Sequence, residues 1–316
     1  MRSTGERACG KAPTRAVRCP RYGLVVSTPP FVDLPAGVAV ERWPVRGTQR
    51  AVLHAGLAGA TRWVVLVPGF TGSKEDFIAL VPLLADAGVG AIAVDQLGQF
   101  ESDGSDDPRD YALSLLAADV AELVAVATTR YGLDHAPHLV GHSFGGLVAQ
   151  EVVAGGHLRP ASLTLLCTGP GALSGPRAAE LPALVTALDE HDLATIWQVM
   201  NEWEEADEAD ERLVPSAAVR AFVERRWHAN HPAQLRAFAV HLMSQPPLTE
   251  RVREARGDLP VTVMWGSLDD AWPLAEQAAM ADALQAAAVV LPGLGHSPNA
   301  QDASATCSAL LSAWAR

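Results

Sequence analysis

No run of apolar residues in this chain approaches the roughly 18 that a membrane-spanning helix requires. The longest helical candidate, residues 111–131, is broken by Asp119 and Glu122, so no membrane partner is expected. Positive charge is also in short supply. The 24 Lys and Arg face 36 Asp and Glu, for a net charge of −12 at pH 7, which argues against nucleic acid as a partner. The four cysteines, Cys9, Cys19, Cys167 and Cys307, lack metal-ligand spacing. A reduced, cytoplasmic protein without a metal or cofactor is the simplest account. Only 19% of the 316 residues are charged while 49% are hydrophobic, a balance that speaks against disorder and supports one large core. No internal repeat is visible.

The positive charge that exists is unevenly placed. Residues 1–23 hold Arg2, Arg7, Lys11, Arg15, Arg18 and Arg21 against Glu6 alone, about +5, which leaves about −17 for the remainder. This stretch has no apolar core of a secretory signal. Residues 1–29 therefore read as a basic, unstructured extension, and deletion of 1–23 is expected to leave activity unchanged.

From there on, short β-branched runs recur at Val38–Val45, Ala51–His54, Trp63–Val67, Gly90–Val94, Pro137–Val140, Ala161–Cys167, Val261–Trp265 and Ala288–Leu291. Helical signals separate most of them. Residues 111–131 are the clearest, with Leu113, Leu116, Val120, Leu123, Val124 and Ala127 on one face and Gly132 as a stop. Strands alternating with helices predict an α/β fold, an eight-stranded, mostly parallel sheet covered on both faces. The first two strands lie too close for a crossover helix and read as an antiparallel hairpin. The alternation fails from Pro170 to Gln245, where four helical stretches follow one another (178–188, 194–204, 215–229 and 232–243). Residues 30–169 and 246–316 thus read as the core, and 170–245 as a helical insertion.

Ser143 stands in His138-Leu-Val-Gly-His-Ser-Phe-Gly-Gly146, directly between a strand signal and a helix signal. A sharp strand-to-helix turn strains the serine and demands tiny neighbours two positions away, which Gly141 and Gly145 supply. It also sets the serine at a helix N-terminus, where developing negative charge is favoured. Downstream, the strand at 260–265 runs into Gly266-Ser-Leu-Asp269-Asp270, and the strand at 288–291 into Pro292-Gly-Leu-Gly-His296. Ser143, Asp269 and His296 each follow a strand, so a parallel sheet brings all three to one edge. A serine, a base to take its proton and a carboxylate to orient that base form the logic of acyl transfer.

With Pro68-Gly-Phe-Thr-Gly-Ser73, Asp95-Gln-Leu-Gly-Gln-Phe-Glu-Ser102, the Ser143 elbow and the Asp269 and His296 turns in this order, the chain resembles the α/β-hydrolase superfamily in its Ser-dependent, cap-bearing branch. The resemblance covers Pro30 to the C-terminus and implies that the insertion at 170–245 is a helical cap. It departs at Pro68-Gly69, where the family usually carries His-Gly. It implies Ser143 as nucleophile, His296 as base and Asp269, three residues after Gly266, as acid, with Asp270 the alternative. The strand at 161–167 leads into Thr168-Gly-Pro-Gly171 without a carboxylate, against a variant with the acid there. The amides of Phe70 and Phe144 are the expected oxyanion donors, their rings left free for an apolar pocket. Trp197, Trp203 and Trp272 are further pocket candidates, with Met200, Trp227 and Met243 as possible cap lining. His142 reads as a packed neighbour pointing away from the base. The expected activity is hydrolysis of an ester or related acyl bond of an apolar small molecule. Thioesterase, C–C hydrolase and acyltransferase chemistry share the same triad, and a non-hydrolytic ligand-binding relative is the reading from a different class.

Overall fold

A computed structural model describes residues 26–205 and 215–315, without the side chains of 201–205. Eight strands are built from the β-branched runs: β1 (Ala39–Val45), β2 (Thr48–Ala55), β3 (Trp63–Val67), β4 (Gly90–Val94), β5 (His138–His142), β6 (Ser162–Leu166), β7 (Val261–Gly266) and β8 (Ala287–Leu291). They form one sheet in the order β1-β2-β4-β3-β5-β6-β7-β8. β1 and β2 form the antiparallel hairpin, β2 also meets β4 antiparallel, and every later pairing is parallel. The central strands β3, β4, β5 and β6 are buried at every residue. That burial is why they read as continuous apolar runs rather than alternating ones.

The helices in chain order are α1 (Leu80–Asp86), α2 (Leu113–Tyr131), α3 (Phe144–Ala154), α4 (Leu181–Glu190), α5 (Leu193–Glu205), α6 (Ala217–Ala229), α7 (Pro232–Ser244), α8 (Thr249–Arg256), α9 (Leu274–Ala283), α10 (Pro298–Gln301) and α11 (Ala303–Trp314). α2 buries the predicted face and stops at Gly132, whose φ of 64° makes a left-handed cap with its N–H on the Thr128 carbonyl. α4 to α7 fill the segment between β6 and β7 where the strand–helix alternation ceases. α7 ties them to α3 and to the turn before α2. Phe238 stacks on Phe144 with centroids 4.0 Å apart, and His241 Nε2 donates to the Tyr111 carbonyl at 2.9 Å.

Two buried charge clusters tie loops to this frame. The Lys74 ammonium has no exposure and sits 3.0 Å from Asp95, 2.8 Å from Glu75 and 2.7 Å from Glu101, with the Phe100 ring 4.7 Å away. Arg226 of α6 is equally buried and pairs with Asp76 at 2.9 Å. Burying an ion is costly unless partners compensate it, and both clusters supply them. Among the described residues, no helix is long and apolar enough to cross a membrane.

Candidate active site

Ser143 caps the N-terminus of α3 with φ 55° and ψ −122°, a backbone state that costs a non-glycine residue free energy. Its surroundings hold it there. The Ser143 N–H donates to Leu166 O at 3.0 Å, and Gly146 N–H returns to Ser143 O at 2.8 Å. A Cβ on Gly141 would strike the Gly145 carbonyl, and one on Gly145 would strike the Val67 carbonyl. The predicted need for small neighbours is therefore literal, because α3 starts in van der Waals contact with β3 and β5.

His296, in the loop between β8 and α10, lies with Nε2 3.0 Å from Ser143 Oγ. Its Nδ1–H donates to Asp269 Oδ1 at 2.8 Å, which leaves Nε2 as the acceptor for the serine hydroxyl proton. Asp269 takes two more donors: Ala271 N–H at 3.0 Å and, on its other oxygen, Gln277 Nε2 at 2.9 Å. Burial alone would raise this carboxyl; the hydrogen bonds, led by that of His296, outweigh it and hold the group at about 2. The neighbouring Asp270 turns away and pairs with Arg177 at 2.6 Å.

Phe144 is the first residue of α3, so its N–H has no partner within the helix. The Phe70 N–H makes no main-chain hydrogen bond among the described residues, while its carbonyl is held by Gln99 Nε2 at 3.3 Å. The Phe144 amide follows Ser143 directly on α3, and the loop that carries Phe70 packs against the same serine through Gly69, where a Cβ would lie 3.1 Å from Ser143 Cβ. A cavity of about 750 Å³ opens over Ser143 and His296. Its walls come from the β3 loop (Gly69 to Thr71), the segment between β6 and β7 (Leu173, Arg177, Leu181, Val219, Leu242) and the chain at 26–30.

Several side chains stand elsewhere than expected. The Phe144 ring is not in the cavity; it is fully buried beneath Phe238. Trp272 is fully buried as well, its indole N–H on Ala172 O at 3.1 Å and its ring 6.3 Å from that of His296, so it lies behind His296 rather than lining the cavity. Trp197 packs on Trp227 and His228, each at 6.1 Å, in a cluster among the helices. Met243 is 43% exposed. Trp203 falls outside the described side chains.

His142 is the converse case. It does not point away: Nε2 donates to the His296 carbonyl at 2.7 Å and the two rings lie 5.2 Å apart. Burial, with His296 beside it, pushes its pKa down to about 3, so Nδ1 is a bare acceptor, and it has no partner. Gln277 carried no sequence signal, being one glutamine on an ordinary amphipathic helix. Among the described residues, Cys167, Asp269 and His296 place possible metal-ligand atoms within 4.8 Å of one another. They do not suit an ion: burial holds the Cys167 thiol well above its ordinary pKa, and His296 and Asp269 are engaged with each other.

Comparison with known proteins accords with this architecture. A 125-residue stretch is 31% identical to a protein of Bacillus subtilis (strain 168) named "Putative 2-succinyl-6-hydroxy-2,4-cyclohexadiene-1-carboxylate synthase", over 40% of this chain and 43% of that one. A 104-residue stretch is 36% identical to "Putative carbamate hydrolase RutD" of Variovorax paradoxus (strain S110), over 33% of this chain and 36% of that one. The chain thus aligns with less than half the length of these curated relatives. The enol-lactonase from Burkholderia xenovorans LB400 superposes with a TM-score of 0.70 at 16% identity, over 87% of this chain and 100% of that one, a likeness of fold. The sequence pattern of the alpha/beta hydrolase family matches residues 64–309, from β3 into α11. With the strand order, the strained Ser143 turn and the Asp269 and His296 loops falling inside that match, the chain belongs to the alpha/beta hydrolase family.

Proposed function

We propose that this protein is a serine hydrolase that cleaves an ester or related acyl bond of a small-to-medium apolar substrate through an acyl-enzyme. The observation that carries the reading is the continuous hydrogen-bonded line from Ser143 Oγ through His296 to Asp269, at 3.0 and 2.8 Å, on the floor of an open cavity. As the Ser143 oxygen attacks the substrate carbonyl, its proton passes to His296 Nε2. The Asp269 carboxylate holds the ring in register and stabilises the imidazolium. The oxyanion forms against the N–H groups of Phe70 and Phe144, each such donor lowering the barrier by about 2.7–4 kcal/mol. Collapse expels the alcohol, which takes the proton back from His296, and leaves the acyl group on Ser143. Water, giving its proton to His296, then attacks the acyl-enzyme and frees the acid and the serine.

Cavity size and lining support the substrate class. A space of about 750 Å³ lies within the usual range for small-molecule sites, and Phe70, Leu173, Leu181, Val219 and Leu242 make most of its contact surface apolar. The test is hydrolysis of p-nitrophenyl esters from acetate to decanoate by the wild type and by Ser143→Ala. Turnover by the wild type and none by the variant is the expected result. Equal rates in both would remove Ser143 from the chemistry.

A further inference from the structure

The chain at 26–30 is the part of the cavity wall that the sequence pattern least announced, since residues up to 29 read as an unstructured extension. Val26, Ser27, Thr28, Pro29 and Pro30 all face the cavity that holds Ser143 and His296. Every polar group of Ser27 is engaged by a distant part of the chain. Its N–H donates to Thr71 Oγ1 at 3.1 Å, its hydroxyl donates to Asp76 Oδ2 at 2.7 Å, and its carbonyl accepts from Arg226 Nη2.

Those three partners are not ordinary surface groups. Thr71 follows Phe70 in the loop that packs against Ser143 through Gly69. Asp76 and Arg226 are both buried, and the guanidinium also reaches Ser73 Oγ at 3.3 Å. The Asp76 carbonyl accepts from Asn299 Nδ2 at 2.8 Å, three residues past His296. A Cβ on Gly72 would strike the Asp76 carboxylate, so the loop after β3 is shaped around this junction. On the apolar side, Val26 packs with Trp197 against both small clusters, the one around Leu184, Leu193 and Trp227, which Phe70 also joins, and the one around Phe100 and Phe222. Pro29 is buried and Pro30 follows it, so two consecutive residues have φ set by their rings and the segment is stiff.

We infer that residues 26–30 form a strap across the substrate cavity, in which Ser27 is a positioning residue for the oxyanion loop and Thr28 sets the length of acyl chain admitted. The inference rests on the reading of this cavity as the substrate site. Ser27 joins the Phe70–Thr71 loop, the Asp76–Arg226 pair and helix α6 at one point, so the loop that presents the Phe70 amide is braced from the N-terminal side. Thr28 stands beyond that anchor, and a larger side chain there takes volume from the cavity.

The test uses the full-length protein with Thr28→Trp, Thr28→Gly, Ser27→Ala and Ser27→Thr, with melting temperature recorded for each. Two readouts are combined: kcat and KM on p-nitrophenyl acetate through decanoate, and calorimetric binding of decanoate, which needs no turnover. Thr28→Trp is expected to lower the decanoate-to-acetate ratio of kcat/KM by about fivefold or more and to weaken decanoate binding, while Thr28→Gly raises the ratio. Ser27→Ala is expected to lower kcat on acetate by about fivefold with KM nearly constant, and Ser27→Thr to restore it. Folded Thr28 variants with an unchanged ratio and unchanged decanoate affinity would overturn the strap. A Ser27→Ala variant that loses melting temperature but keeps kcat would overturn the positioning role. Altered decanoate binding in a protein without Ser143-dependent turnover would sustain the strap and count against the serine mechanism.

Discussion

Ser143 Oγ and His296 Nε2 share a single hydrogen bond, and the loss of either leaves the other without a partner. Ser143→Ala and His296→Ala should therefore each lower kcat/KM on a p-nitrophenyl ester by on the order of 10⁴-fold, and the double variant by little more. Additive losses, read from the same assay, would separate the two residues. For the carboxylate, Asp269→Asn should cost far more than Asp270→Asn, because Asp269 meets His296 and Asp270 meets Arg177. Comparable losses from the two variants would put the acid assignment in doubt. At this scale the meeting of Ser143, His296 and Asp269 was legible from local signals: glycines two positions either side of Ser143, and a carboxylate or histidine just past a β-branched run. The directions of neighbouring rings were not. Whether Phe144 turns into the cavity or under Phe238 depends on where α7 sits, and nothing within five residues of Phe144 encodes that.

Whole elements follow the same division. β3 and β4 occupy the residues expected of them, and the other strands differ by a few terminal residues, because buried parallel strands demand β-branched runs that little else in the chain imitates. The four helical stretches from 178 to 243 were likewise readable from their patterning. What packs on what was not, since Trp197, Trp227 and Trp272 are equally apolar whether they face a ligand or a neighbouring helix. The same holds for the buried ions. Lys74 is one of two lysines in the sequence and looks like a surface residue there, yet it lies without exposure among three carboxylates. Lys74→Met should destabilise the fold by roughly 3–5 kcal/mol, measured by urea denaturation, because it leaves Asp95 and Glu75 buried without their counter-charge. A loss under about 1 kcal/mol would mean that water replaces the ammonium with little penalty.

Across the molecule, buried histidines couple stability to acid. Burial, with Arg62 nearby, holds His138 at about 4, and burial with His296 nearby holds His142 at about 3. Both lie below the ordinary 6.5. Between 6.5 and these values the unfolded chain binds protons that the folded chain refuses, so stability falls as pH falls and is fully present above 6.5. Asp269, held at about 2 against an ordinary 3.8, adds a further loss as pH drops through that lower window. Burial acts the opposite way on Asp95, pushed up to about 7, so the histidine contribution is read by difference: from pH 7 to pH 4 the melting temperature of His138→Gln should fall less, or rise more, than that of the wild type. An identical slope in that variant would remove His138 from the account.

The Asp76 junction has a consequence in time as well as in space. It joins Ser27 to a carboxylate 49 positions on, and Asp76 to an asparagine 223 positions on; Ser143 and His296 are themselves 153 apart. Helices and the β1–β2 hairpin need only near neighbours, whereas these contacts require long loops to close first. On refolding from denaturant, the far-ultraviolet helical signal should return ahead of ester turnover, with hydrolysis as the last property to recover.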